Sequence, residues 1–311
     1  MYDSTKPYKT KILKLIKKTW KSPYLKVKES IYPITTPTKI YEQIDHTDGV
    51  GTKGIYHWRK HTYKNAALDA LAMNLNDLAM VRATPFKLQN HIILPEDNHQ
   101  AIIEIVATLS KECRKRKIVM TGGETSIHND QQGMDISITV SGFIEKYKPN
   151  KLEIGDILIG LKSNGLHSNG ITKLREVYGT EVREDFVKPT EIYLDKLLEL
   201  NEKFDIHGLM HITGGAFTKL KDIIQDANAI IHQGEITKPQ KVFRGIYEKG
   251  VSDEEMYKTF NCGVGFIISV PKSEAARLVR ETEGSEIIGD VVKGSGLVKI
   301  QSFFSSSVVK Y

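Results

Sequence analysis

The sequence predicts a mixed α/β chain of two domains, and three observations carry that expectation. At 311 residues the chain exceeds the size at which a single hydrophobic core stops growing. Strand-like and helix-like apolar patterns alternate along it, with the strands ending in glycine-rich polar turns. Near the middle, Tyr147 to Glu153, with Pro149 and Asn150, reads as a linker and divides the chain into residues 1–150 and 151–311.

Composition narrows the function classes. Hydrophobic residues at 40% and charged residues at 26% describe an ordinary soluble protein. No apolar run approaches the roughly 18 residues of a membrane span, and the lysine-rich start lacks the apolar block of a signal peptide, so a cytoplasmic protein is expected. Cys113 and Cys262 stand in unrelated contexts, which leaves no disulfide framework and no zinc spacing. Ten lysines in residues 1–40 face only Asp3 and Glu29, and so account for more than the whole net charge of +6. That segment reads as a solvated basic arm able to attract polyanionic substrate. It carries no helix-turn-helix, zinc or aromatic-stacking pattern, and nucleic acid is not an expected partner.

Taken in order, Lys11 to Trp20 has helical apolar spacing, and Ser22 to Lys39, with Pro23, Pro33 and Pro37, reads as extended and irregular. A short strand from about Ile40 runs into Asp48-Gly49-Val50-Gly51-Thr52-Lys53. Asn65 to Val81 is a buried helix carrying Asn74, Asn76 and Asp77, and it closes before Pro85. His91 to Leu94 is a strand and Asn98 to Lys115 an amphipathic helix. Ile118 to Met120 is a strand ending in a turn, Thr121-Gly122-Gly123-Glu124-Thr125, and Met134 to Glu145 alternates as a strand.

In the second half, Asp156 to Leu161 is a strand leading through Ser163–Gly170 to a helix over Ile171 to Tyr178. Helices are expected over Thr190 to Lys203, from about Phe217, and over Ser273 to Glu283. Strands are expected over Phe266 to Val270, Ile287 to Val291 and Gly296 to Gln301.

Two stretches have the chemistry of a phosphate site. In Asp48–Lys53 two glycines let backbone amides converge on an anion, Lys53 adds a point charge, and Asp48 can hold a hard cation; the spacing differs from the GxxxxGK[ST] loop. In Gly165-Leu166-His167-Ser168-Asn169-Gly170 a polar turn opens a helix, whose unpaired first-turn amides and dipole favour an anion. His167 can donate to a phosphate or act as acid or base. Locally, each also reads as an ordinary turn.

Together with Asn76-Asp77, Gly122–Thr125, Pro189–Tyr193, His211–Gly215 and Met256–Gly265, these stretches resemble, in order and spacing over residues 40 to 270, the aminoimidazole ribonucleotide synthetase family, also called phosphoribosylformylglycinamidine cyclo-ligase. The resemblance implies an α/β (α+β type) two-domain ATP-binding synthetase fold, with an N-terminal ATP-binding and dimerisation domain and a C-terminal substrate domain. It implies ATP-dependent cyclisation of formylglycinamidine ribonucleotide in purine biosynthesis, with ATP and Mg²⁺, in a homodimer. The nucleotide would be bound by Asp48, Gly49, Gly51, Thr52, Lys53, Asn76, Gly122, Gly123, Glu124 and Thr125, and Mg²⁺ by Asp48, Asp77 and Glu124. Ser168, Asn169, Gly170, Thr213, Gly214 and Gly215 would bind the second substrate, and Asp77 and His167 would be the catalytic groups.

The chain also departs from the family pattern. No glycine occurs from Ser22 to Gln43, Ser126 to Asp130 replaces the usual run after the Gly-Gly-Glu-Thr stretch, Ala216 replaces a third glycine, and a downstream arginine is missing around Thr218 to Asp222. The alternative reading is a paralogue that keeps the nucleotide frame but takes another small substrate or has lost turnover.

Overall fold

The computed structural model describes residues 8–30, 32–40 and 42–311; Asp3, Lys6 and Tyr41 lie outside the described residues. The chain forms two compact units, one of residues up to Leu78 with Ala83–Tyr147, the other of Ala79–Arg82 with Lys148–Tyr311. No helix among the described residues is long and apolar enough to cross a membrane.

The first unit contains α1 (Lys9–Lys17), β1 (Leu25–Lys28), β2 (Ile34–Pro37), β3 (Glu42–Gly49), α2 (Gly54–Lys60), α3 (Tyr63–Met80), β4 (Thr84–Leu94), α4 (His99–Lys115), β5 (Val119–Ile127) and β6 (Asp135–Ile144). Four strands make a sheet in the order β3-β6-β4-β5, in which only β4 and β5 run parallel. Helix α3 is apolar almost all round, with Ala66, Ala67, Ala70, Leu71, Ala72, Leu75 and Leu78 fully buried, as expected for a helix in a core. Asn98 caps α4 by accepting from the Ala101 amide at 2.9 Å.

Three expectations are corrected in this unit. The basic segment is docked on the unit by a few anchoring residues, while its lysines from Lys11 to Lys39 stay exposed to solvent as expected. Ser110 Oγ donates to the Leu15 carbonyl, Trp20 Nε1 to Met120 O and Ser22 Oγ to Lys117 O at 2.8–2.9 Å, while Leu25 is buried with Phe86, Val119 and Phe143. The proline-rich stretch is not irregular, since β1 and β2 pair within it as an antiparallel hairpin, with Pro37 at its end. Finally, Gly122–Thr125 is no turn but the middle of β5, paired residue by residue with Gln89–Ile92 of β4. Glycine content suggested a turn, but pairing with β4 supplies these residues with backbone partners and keeps the chain extended.

The second unit contains β7 (Asp156–Lys162), α5 (Ile171–Tyr178), α6 (Leu194–Lys203), β8 (Gly208–His211), β9 (Ala227–His232), α7 (Lys241–Glu248), α8 (Asp253–Thr259), β10 (Val264–Pro271), α9 (Lys272–Glu281), β11 (Ser285–Lys293), β12 (Val298–Gln301) and β13 (Val308–Lys310). Its seven strands pair in the order β13-β12-β9-β11-β7-β10-β8. The central strands β7 and β10 are almost wholly buried, which explains their near-continuous apolar runs. Helix α6 starts at Leu194 rather than Thr190, and residues 216–223 coil as a 3₁₀ helix.

Candidate active site

In the first unit, Asp48 stands near the end of the edge strand β3. Side chains alternate along a strand, so Ile44, His46 and Asp48 share one face and are half-buried, while Asp45 and Thr47 point the other way and are exposed. The Ile44 face meets α3. Asn74 Nδ2 donates to the carbonyls of Ala70 at 2.9 Å and Asp48 at 3.0 Å, and His46 lies between Asn74 Oδ1 at 3.0 Å and Asp77 Oδ2 at 3.3 Å. The hydrogen bond to Asp77 raises the His46 pKa above its ordinary value, against the opposing effect of burial. Asp48 and Asp77 are thus held on one side of the sheet. Asn76, next along α3, is fully buried.

Glu124 belongs elsewhere. Across the sheet Asp48 pairs with Ile138, Ile138 with Asn90, and Asn90 with Gly123, so Glu124 lies one residue beyond the Asp48 row and on the opposite face. Strands β3 and β5 are also the two edges, three spacings or about 14 Å apart. Among the described residues no group of three or more His, Cys, Asp or Glu side chains is placed to hold a metal ion. The three-carboxylate set of Asp48, Asp77 and Glu124 is therefore not assembled within one chain.

Lys53 is the second correction at this end. Its ammonium is fully buried and lies 2.8 Å from Asp69 Oδ2, while His57 Nε2 meets the same oxygen at 2.7 Å and His57 Nδ1 meets Thr62 Oγ1 at 2.8 Å. Burial lowers the pKa values of Lys53 and His57, whereas the Asp69 carboxyl, which burial alone would raise, is brought well below the usual range by Lys53 and His57. The consistent arrangement is an ion pair between Lys53 and Asp69 beside a neutral imidazole, which accepts from Thr62 and donates to Asp69. Lys53 thus pins the 3₁₀ turn Gly51–Lys53 to α3 instead of extending into a phosphate cradle.

The glycines divide in the same way. A Cβ on Gly49 would lie 2.4 Å from Ile136 O, so that glycine permits strand contact. Gly51, at φ +56°, and Gly122 would each direct a Cβ into open space, and Thr121 Oγ1 is buried with no hydrogen-bond partner among the described residues. Thr52 and Thr125 are half-buried. The backbone at Gly51 and Gly122 is therefore uncovered on the side a Cβ would occupy.

In the second unit the predicted residues converge. His167, 1% exposed, follows the β7 strand in a left-handed conformation at φ +59° and lies beside the Tyr193 ring with centroids 6.2 Å apart. Tyr193 Oη donates to Lys162 O at 2.8 Å. A Cβ on Gly265 would lie 1.9 Å from Tyr193 Oη and 2.9 Å from His167 Cε1, so the bare glycine makes room for both rings. Thr213 Oγ1 donates to Asn169 Oδ1 at 2.7 Å, and Ser168 Oγ lies 3.1 Å from Thr190 Oγ1. Gly170, at φ +69°, is the N-cap of α5, and a Cβ there would strike the Phe260 ring at 2.2 Å. Gly214 and Gly215 are exposed at the start of the 3₁₀ helix.

Asn261 fastens this loop. Its amide donates to the carbonyls of Gly165 and Leu166 at 2.9 and 3.1 Å, and its oxygen accepts from Ser163 Oγ and the Gly263 amide at 2.8 and 2.9 Å. Asn164 Oδ1, Asn169 Nδ2 and Gln240 Oε1 are buried with no partner among the described residues, and they offer two acceptors and a donor to a polar ligand. Sequence reasoning assigned no role to His46, Asn74, Asp69, Asn261 or Gln240, and quoted Tyr193 only within a motif. The available signals were the alternation that puts His46 on the Asp48 face and the helical spacing that puts Asn74 beside Asp77.

The C-terminal domain profile of the AIR synthase related protein family matches residues 153–300, and the N-terminal profile matches residues 35–144. The phosphoribosylformylglycinamidine cyclo-ligase of Thermococcus kodakarensis is 36% identical over 269 residues, covering 81% of this chain and 79% of that protein. That of Pyrococcus horikoshii is 34% identical over 275 residues, covering 83% and 81%. Among solved structures, the hydrogenase maturation protein HypE in complex with ATP superimposes with TM-score 0.72 at 17% identity, over 99% of this chain and 95% of that one. Thiamine-monophosphate kinase from Stenotrophomonas maltophilia gives 0.68 at 15% identity, over 94% and 96%. The chain belongs to the AIR synthase related family, among its phosphoribosylformylglycinamidine cyclo-ligases.

Proposed function

We infer that the chain catalyses the ATP-dependent cyclisation of formylglycinamidine ribonucleotide to aminoimidazole ribonucleotide, a ring-closing step of purine biosynthesis in the cytoplasm. The observation that carries this reading is 36% identity to a protein of that name over 81% of the chain. ATP as co-substrate is supported by the fold shared with HypE, described in complex with ATP.

ATP phosphorylates the formyl oxygen and leaves as ADP; the amidine nitrogen then attacks the formyl carbon, and the phosphorylated oxygen departs as inorganic phosphate as the ring closes. Asp48 and Asp77, on one side of the sheet, are proposed to hold Mg²⁺, which needs only one or two carboxylates besides phosphate oxygens and water. The turn at Gly51 and Thr52 presents amides to phosphate, and Lys53 acts indirectly by fixing that turn. Asn76 supports the same end of α3. In the second unit Ser168, Asn169, Gly170, Thr213, Gly214 and Gly215 are proposed to bind the ribonucleotide, with His167 moving or stabilising a proton at the formyl amide. The working form is proposed to be a homodimer joined through the N-terminal sheet. Because Glu124 cannot reach Asp48 within one chain, a second copy is the arrangement in which Gly122–Thr125 still serves that nucleotide.

The test is incubation of the purified chain with formylglycinamidine ribonucleotide, ATP and Mg²⁺, following ring product and ADP together. Stoichiometric formation of both is expected. Nucleotide binding without ring product would overturn the assignment in favour of another small substrate.

A further inference from the structure

We propose that His46 is a positioning residue that aims the Asp77 carboxylate, through a chain of hydrogen bonds that starts at the backbone of Asp48. The inference rests on the assignment of Asp77 to the nucleotide site.

The chain begins with Asn74. Its Nδ2 lies 3.0 Å from Asp48 O and 2.9 Å from Ala70 O, and turning the amide over would set its oxygen against both carbonyls. The amide orientation is therefore fixed, and Asn74 Oδ1 must face His46 Nδ1 as an acceptor, at 3.0 Å. The ring is thereby fixed in plane and direction: with acceptors facing both nitrogens, Nδ1 donates to Asn74 and the cationic ring presents its second N–H, on Nε2, 3.3 Å from Asp77 Oδ2. Strand alternation places His46 beside Asp48, and helical spacing places Asn74 beside Asp77. The link joins the two carboxylate-bearing elements, β3 and α3. Asp77 is only 12% exposed and His46 29% exposed, so the contact is partly shielded from water. Groups that orient a ligating carboxylate typically change metal affinity or activity by about 10–100-fold.

The experiment compares the wild-type chain with His46→Ala, His46→Gln, Asp77→Asn and the His46→Ala/Asp77→Asn double variant. Calorimetry measures binding of the magnesium complex of a non-hydrolysable ATP analogue, kinetics give KM for both substrates, and thermal melting checks the fold. His46→Ala is expected to weaken analogue binding and raise KM for ATP about 10–100-fold, with little change in KM for the ribonucleotide; melting falls because the buried Asn74 Oδ1 loses its partner, but the chain stays folded at the assay temperature. His46→Gln, which keeps an amide donor, recovers part of the loss, and the double variant is no worse than Asp77→Asn alone. Wild-type binding by His46→Ala beside a defective Asp77→Asn overturns the positioning role and leaves the site standing. Full additivity in the double variant likewise overturns it. Wild-type behaviour of Asp77→Asn removes Asp77 from the site, and the inference falls with it.

Discussion

Lys53 Nζ lies 2.8 Å from Asp69 Oδ2, with both side chains wholly shut off from water. Removing one member of such a pair leaves the other buried without its counter-charge. Lys53→Ala is expected to destabilise the first unit by about 3–5 kcal/mol, read by denaturant unfolding. Lys53→Met/Asp69→Leu, which removes both charges, should cost much less. A Lys53→Ala chain of wild-type stability that has lost only nucleotide affinity would return the ammonium to the phosphate site.

His57 makes this same cluster sensitive to acid. Burial lowers its folded pKa, whereas the unfolded imidazole titrates near about 6.5. Below that pH the unfolded chain takes up a proton that the folded chain resists, so stability falls as pH falls from about 6.5 toward the lowered folded value. The lowered pKa of Asp69 acts with the same sign, but only below the ordinary carboxylate range near about 4. His46, whose folded pKa is raised, acts with the opposite sign in the same window, so the His57 contribution is read as a difference: between pH 7 and 5 the melting temperature of wild type should fall relative to that of His57→Gln, whatever that variant's stability at pH 7.

Gly265 tests the second unit. A methyl group there would lie 1.9 Å from Tyr193 Oη, forcing the tyrosine and the adjacent His167 to move. Displacement of a reacting group by about 1 Å can lower turnover about 100-fold, and Gly265→Ala should lower kcat/KM by that order. The Gly265→Ala/Tyr193→Phe pair, which removes the obstructing hydroxyl, should regain part of the activity. Equal activity in Gly265→Ala and wild type would take His167 out of the reaction.

Asn261 should control the shape of the Ser163–Gly170 loop. Asn261→Ala leaves two carbonyls, a hydroxyl and an amide without the partners they now have, which should cost about 3 kcal/mol or more. Kinetically, KM for the ribonucleotide should rise while analogue binding at the first unit holds. A rise confined to KM for ATP would contradict the division of roles between the units.

The elements most legible in the sequence were those with strong periodicity or a continuous apolar run. Helix α3 was readable from its run of alanine, leucine and methionine, α4 from its apolar stripe, and β7 from its apolar block. Less legible were α2, which has only seven residues after a turn, and the β1–β2 hairpin, whose prolines suggested irregular chain. Within the candidate site, the residues of Ser163–Gly170 are contiguous and the sequence grouped them correctly as one loop. His46 and Asn74 carried no local mark, because their contact depends on a strand and a helix meeting.

By itself the sequence determined the order of glycine-rich and acidic motifs and the residue types available for chemistry, since these are written contiguously and follow from side-chain properties. The tertiary structure alone decided which motifs share a site. Sheet order and register put Asp48 and Glu124 on opposite edges and opposite faces. Burial turned Lys53 inward to Asp69, and packing of α3 on β3 brought Asp77 to His46. Those outcomes depend on pairing between distant segments, where a shift of one residue reverses every side chain, and no local pattern records that choice.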